Sequence, residues 1–213
     1  MAMDTCKRNV LKWSAVGAGV LLLPSTSWAL TRTPAMTEGP FYPEARDLLL
    51  DQDNDLTTIA GKPGVAAGVI VDIVGRVRDV KARAVAGAVV EIWQCNAHGR
   101  YHHAGDTSGA PLDPFFQGFG KTTTDAAGNF RFRTIKPVAY AGRTPHIHFK
   151  VKSSAFDELT SQAFIEGEPA NARDFVLRAM SKGEMQSVML KFAPAASPVG
   201  AKLYAQFEIV VGR

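Results

Sequence analysis

The chain has 213 residues, 46% hydrophobic and 21% charged, the balance of a soluble globular protein long enough for one domain with its own core. The formal net charge of +4 is spread along the chain, and no run of five or more Lys and Arg marks a nucleic-acid patch. No nucleic-acid partner is expected.

Residues 1–29 read as an export signal. Lys7, Arg8 and Lys12 precede the apolar stretch Ser14–Pro24, and Ser27-Trp28-Ala29 offers the small-x-small pattern cut by a signal peptidase, placing cleavage after Ala29. The apolar run falls short of the roughly 20 residues a membrane-spanning helix needs, so no stable membrane insertion is expected after cleavage. Cys6-Lys7-Arg8-Asn9-Val10-Leu11-Lys12 resembles the twin-arginine export motif with Lys for the first Arg, and the ordinary secretory route stays open. The expected location is outside the cytoplasm, in the periplasm. Loss of the leader removes Cys6 and leaves Cys95 without an internal disulfide partner. Cys95 reads as a small buried apolar group.

Residues 30–67 carry few strand signals. Met36-Thr37-Glu38-Gly39-Pro40-Phe41-Tyr42-Pro43 contains Gly-Pro and a second proline, which predicts an irregular amino-terminal arm lying over the fold. The alternating acids of Asp51-Gln52-Asp53-Asn54-Asp55 resemble the start of a calcium loop. Leu56 stands where that loop needs glycine and Lys62 where it needs glutamate, so a solvated acidic turn is expected.

From residue 68 to 213, short β-branched and apolar runs recur between turn signals. Residues 69–80, 86–95, 129–135, 146–151, 187–193 and 202–211 read as strands of an all-β, antiparallel β-sandwich. Asn129 to Arg133 alternates strictly, which puts Phe130 and Phe132 on one face and Arg131 and Arg133 on the other. Ala172–Lys182 reads as one short helix capped by Asn171, with Phe175, Val176, Ala179 and Met180 at helical spacing.

The segment Ala139–Lys150 (AYAGRTPHIHFK) concentrates Tyr140, Arg143, His146 and His148 in a chain with five histidines. On a strand, His146 and His148 project to one side and Ile147 to the other, a natural pair of metal ligands. The pair alone leaves open whether this is a metal site or polar decoration on a strand. A phenol titrates near 10, so it binds as phenolate at neutral pH only beside a strong Lewis acid. Two phenolates with two imidazoles suit ferric iron better than zinc. Tyr140 lies close in sequence, but the residues alone do not choose a second phenol from Tyr42, Tyr101 and Tyr204. His102 and His103, next to Tyr101, read as rim or structural groups, and His98 as exposed.

From Gln94 to Phe149 the chain resembles the intradiol ring-cleavage dioxygenases, nearest the protocatechuate-cleaving branch. QCNAHGRYHH, the stretch Ala110–Pro137 and RTPHIHF fall in the family's order, and TEGPFYP is similar to its amino-terminal arm motif. The resemblance implies that Tyr101, Tyr140, His146 and His148 bind one non-haem Fe(III), with Tyr101 and His146 equatorial and Tyr140 and His148 axial. It implies Arg143 as the active-site arginine, Gln162 as the active-site glutamine, Tyr140 as the ligand displaced by substrate, and Thr37 and Pro40 as walls of the substrate pocket. The expected reaction joins O2 to a catecholic ring and gives a cis,cis-muconate-type product. Two departures from the family pattern stand out. Gln162 is one residue nearer the histidines, and only Ala141–Pro145 separate Tyr140 from His146, which implies a remodelled pocket. Homo-oligomers are common in the family, and no sequence feature decides assembly.

Two rivals remain at this level. Residues 68–94 also fit a transthyretin-like binding module, and His146 with His148 would serve a zinc or copper hydrolase, although no HExxH or G-x-S-x-G motif is present.

Overall fold

A computed structural model describes residues 30–49, 51–196 and 200–212. The export signal and Cys6 lie outside the described residues. Eight strands form in chain order: β1 (Ile70–Asp79), β2 (Val89–Trp93), β3 (Phe119–Thr123), β4 (Asn129–Ile135), β5 (His146–Ser153), β6 (Phe156–Ile165), β7 (Met189–Pro194) and β8 (Leu203–Val211). Six coincide with the apolar runs of the sequence. β3 and β6 were not legible there, because Phe119-Gly120-Lys121-Thr122-Thr123 has one large apolar residue and the first half of β6 is solvated.

The strands hydrogen-bond in the order β3-β2-β5-β6-β7-β8-β1-β4. The all-β expectation holds, but a purely antiparallel sandwich does not. β1 runs parallel to β8, and β6 parallel to β7 through Phe164↔Met189 and Ile165↔Leu190. That short parallel junction stitches the two halves into one mixed sheet. The outermost strands of the order, β3 and β4, are consecutive in the chain and joined only by residues 124–128. The sheet therefore curls until its ends approach, nearly closing a barrel. Its interior packs Val71, Ile73, Phe130 and Phe132 from one half against Ile92, Ile147, Phe149 and Leu159 from the other, in one apolar cluster. Burial of this kind is the main stabilising term of a domain this size.

The single helix expected over residues 172–182 is instead three short turns: a 3-10 helix (Pro169–Arg173), α1 (Phe175–Arg178) and α2 (Lys182–Ser187). Asp174 is the break. Its backbone is extended at ψ 125°, and its carboxylate caps α1 by accepting from the Val176 and Leu177 amides. Asn171 does not cap; its amide donates to the Ile165 carbonyl and its oxygen accepts from the Thr144 hydroxyl. Leu177, not Phe175, is the buried residue of α1, and Phe175 is 67% exposed.

Residues 30–67 contain no named strand. They cross the sheet through hydrogen bonds from Met36 to Thr160 and from Leu56 to Arg133. The acidic turn satisfies its carboxylates locally: Asp51 accepts from Ala60, Asp53 from Asp55 and Gln117, and Asp55 from Thr57. Among the described residues, no helix is long and apolar enough to cross a membrane.

Candidate metal centre

β5 alternates as its sequence predicts. Ile147, Phe149 and Val151 enter the core, while His146 and His148 emerge together on the opposite face. Their Nε2 atoms are 3.1 Å apart. His146 Nδ1 lies 2.7 Å from the Thr144 carbonyl, which only accepts, so Nδ1 carries the proton and Nε2 presents a lone pair. Burial lowers the His146 pKa to about 4 and that of His148 well below its usual value, so both rings are neutral at pH 7.

The register of the sheet supplies the flanks. Trp93 on β2 and Gln162 on β6 are the cross-strand partners of His148. The Trp93 indole stacks on the His148 ring at 4.9 Å and 13°. Gln162 is fully buried.

The phenols arrive on two loops. Tyr101 follows β2 on a loop tied by Asn96, whose side chain accepts from the His98 and Arg100 amides and donates to the Pro111 carbonyl. Asp106 accepts from the Tyr101 amide at 2.7 Å. Tyr140 opens a tight turn closed by the Arg143 amide on its carbonyl, with Ala141 at φ 44° and Gly142 at φ 77°. The loops touch at Gly99, where φ is 77° and an added Cβ would stand 3.1 Å from the Ala139 carbonyl oxygen, so a side chain there would be both strained and crowded.

The four rings surround one point. Tyr101 and Tyr140 lie 4.9 Å apart by ring centroid, Tyr140 and His146 5.3 Å, and Tyr101 and His148 6.2 Å. Tyr101 is 2% exposed, and its buried hydroxyl has no hydrogen-bond partner. Burial, reinforced by Tyr140, pushes its pKa well above the usual value, and burial raises Tyr140 likewise. An unpartnered buried hydroxyl is costly unless something else binds it. The donor set therefore fits a cation. Two neutral nitrogens 3.1 Å apart match neighbouring ligands on one ion, since bonds of about 2.1 Å at right angles put the nitrogens about 3 Å apart. Among the described residues no cluster of three or more His, Cys, Asp or Glu is placed to hold a metal. The phenols of Tyr101 and Tyr140 stand beside the two imidazoles as oxygen donors.

Arg143 is gripped from two sides. Its Nε donates to Asp174 at 2.7 Å, and Nη2 donates to Gln162 Oε1 at 2.7 Å. The Gln162 amide donates in turn to the Thr37 carbonyl at 3.0 Å, linking the arm to the arginine. Gly39, at φ 76°, lies so close that an added Cβ would meet His148 Cε1 at 3.3 Å. Thr37 and Pro40 are both exposed on this arm. Phe41 stacks on Tyr101 at 4.7 Å and covers it from solvent.

Asp174, Trp93, Phe41 and Phe175 were not found by sequence reasoning. The Arg143 guanidinium carbon lies 4.9 Å from the Phe175 ring centroid, a cation–π contact at the rim. Only the cap-forming Asp before an apolar turn signals Asp174. The histidines beside Tyr101 stay out of the centre: His103 accepts from the Gly105 amide and faces Asp47 at 3.5 Å. Tyr42 is a packing group, donating to Glu91 and set edge-on against Trp93. Cys95 is buried, its pKa pushed up to about 12 by burial, and inert.

The Dioxygenase family model matches residues 37–211. The protocatechuate 3,4-dioxygenase beta chain of Burkholderia cepacia is 38% identical over 167 residues, covering 75% of this chain and 71% of that one. Catechol 1,2-dioxygenase 1 of Acinetobacter lwoffii is 35% identical over 161 residues, covering 67% of this chain and 49% of that one, so this chain spans about half the relative's length. Among solved structures, the dioxygenase domain of a dioxygenase carbohydrate-binding protein fusion from Streptomyces sp. SirexAA-E is similar at a TM-score of 0.63 and 26% identity, over 85% of this chain and 99% of that one. With the ring of two phenols and two imidazoles already in place, these matches establish that the chain belongs to the intradiol ring-cleavage dioxygenases.

Proposed function

We propose that the chain opens a catecholic ring with O2 between its two hydroxyl-bearing carbons, giving a cis,cis-muconate-type product, with Fe(III) held by Tyr101, Tyr140, His146 and His148. The observation that carries this reading is the convergence of two neutral imidazoles on one point with a buried, unpartnered phenol. When bound, ferric iron supplies the Lewis acidity that holds both phenols ionised at neutral pH and takes both oxygens of a vicinal diol.

The remaining chemistry belongs to the side chains. Tyr140 is half-buried at the mouth, so its oxygen is the one free to swing out and accept a proton from the entering catechol. Tyr101, buried under Phe41, stays. Arg143 keeps a fixed positive charge beside the ring and stabilises negative charge that builds there. Gln162 holds Arg143 and the arm in register, and Thr37 and Pro40 wall the pocket. Trp93 and Phe41 keep water from His148 and Tyr101.

The exposed turn Ala139, Ala141 and Gly142 leaves the mouth open on one side, which supports a larger or substituted catechol as substrate. Residues 1–29 support export, and the chain works outside the cytoplasm.

Iron analysis and a visible spectrum of the mature chain, with O2 uptake on catechol, protocatechuate, hydroxyquinol and bulkier catechols, test the reading. A coloured ferric protein that consumes O2 in proportion to ring opened is expected. A colourless, iron-free chain inert to every catechol sinks the reading, and strict preference for protocatechuate sinks the open-mouth substrate class.

A further inference from the structure

We propose that Asp174 is a positioning residue for the reaction: its carboxylate fixes the direction of the Arg143 guanidinium, and helix capping is only half of its role. The inference rests on the ring-cleavage reading of the same site.

The geometry divides the carboxylate evenly. Oδ2 accepts from Arg143 Nε at 2.7 Å and from the Thr144 amide at 3.2 Å. Oδ1 accepts from the Val176 amide at 3.0 Å and the Leu177 amide at 3.4 Å, and meets Arg143 Nη2 at 3.4 Å. Each oxygen thus takes both the guanidinium and the backbone. The Asp174 side chain is 0% exposed and that of Arg143 11%. A cap needs only one oxygen, and Ser or Asn supplies it as well as Asp. Among the described residues Arg143 is the cation that pairs with this buried charge, beside the three backbone amides. With Asp174 on Nε and Gln162 on Nη2, the guanidinium plane is set by two fixed partners. Among the described residues Nη1 makes no protein hydrogen bond, and it is the edge left for a ligand. A freely rotating arginine would lose the orientation on which its electrostatic effect depends.

Two variants separate positioning from capping. Asp174→Ser keeps a cap and loses the arginine partner. Asp174→Asn keeps one oxygen and turns an amide donor toward Arg143 Nε. Each is expected to lower kcat by about 10²-fold with KM within about threefold. Iron content and the visible band should match the wild type, because no ligand is touched. Combined with Arg143→Ala, Asp174→Ser should cost less than about twofold further, since it acts through the side chain already removed. The double variant should also melt above Asp174→Ser alone, having lost the unpaired buried charge along with its partner.

Unchanged kcat in Asp174→Ser, penalties that multiply in the double variant, or iron lost from both single variants overturns the inference and leaves ring cleavage standing. A wild-type chain that opens no catechol overturns both.

Discussion

The indole of Trp93 lies flat on the imidazole of His148, 4.9 Å away and 13° from parallel, because the two are directly paired across β2 and β5. The strand register thus fixes the ring of a proposed iron ligand through a residue that is not itself proposed as one. Trp93→Phe keeps an aromatic face and shortens it. We expect iron affinity to fall about tenfold, the lower end for residues that orient a ligand, by competition with a chelator.

His146→Ala removes one of the two converging nitrogens and leaves a hole beside Tyr140. Iron binding should weaken by more than the about 100-fold typical of supporting residues. The visible band should vanish and ring opening should fall below detection. An iron-replete, coloured variant would remove His146 from the ligand set.

Gly39→Ala forces a side chain into the left-handed region and against His148. Backbone strain of about 1–2 kcal/mol should appear as a lower Tm. Because the new methyl reaches the His148 ring, metal affinity should fall as well, which strain in a distant loop would not cause.

The arm is fastened by Lys150, a 5% exposed cation on β5 that pairs with Glu38, reaches Glu158 at 3.3 Å and lies 3.8 Å over the Tyr42 ring. Lys150→Ala removes contacts worth about 1.5–3 kcal/mol. Limited proteolysis within residues 30–49 should quicken by tenfold or more, at about 1.4 kcal/mol per factor of ten, while the sheet stays resistant.

Acid stability should depend on Asp72. Burial pushes its carboxyl up, but Arg133 at 2.9 and 3.1 Å and Arg131 at 2.9 Å outweigh this and hold it below the usual range. A carboxylate with a lowered folded pKa stabilises above its unfolded value, about 3.9, and that stability is lost as pH falls through the folded value. Wild type should exceed Asp72→Asn by about 1–3 kcal/mol at pH 7 in urea unfolding, and the gap should close below about pH 4.

Much of this molecule was readable from local pattern, and the reasons differ by element. The period-two alternation of His146-Ile147-His148 is a property of an extended backbone, so it sets the face of both imidazoles without help from any tertiary contact. Six apolar runs gave six strands for the same reason. β3 and β6 escaped because their pairing partners, not their own side chains, make them strands. The helical spacing of Phe175, Val176, Ala179 and Met180 predicts one helix, but apolar spacing cannot show that Asp174 breaks it, buried and bound to Arg143.

The sequence alone determined the chemical inventory, a phenol and two imidazoles within nine residues, and the alternation that puts the imidazoles side by side. The family resemblance, not the residues alone, named Tyr101 as the second phenol, and only the tertiary structure decided that the sheet is mixed and curls nearly closed and that Asp174, Trp93 and Phe41 surround the four rings. Those relations join residues tens of positions apart. They are set by strand register and loop closure, which depend on the whole core's packing and leave no mark in any short stretch of chain.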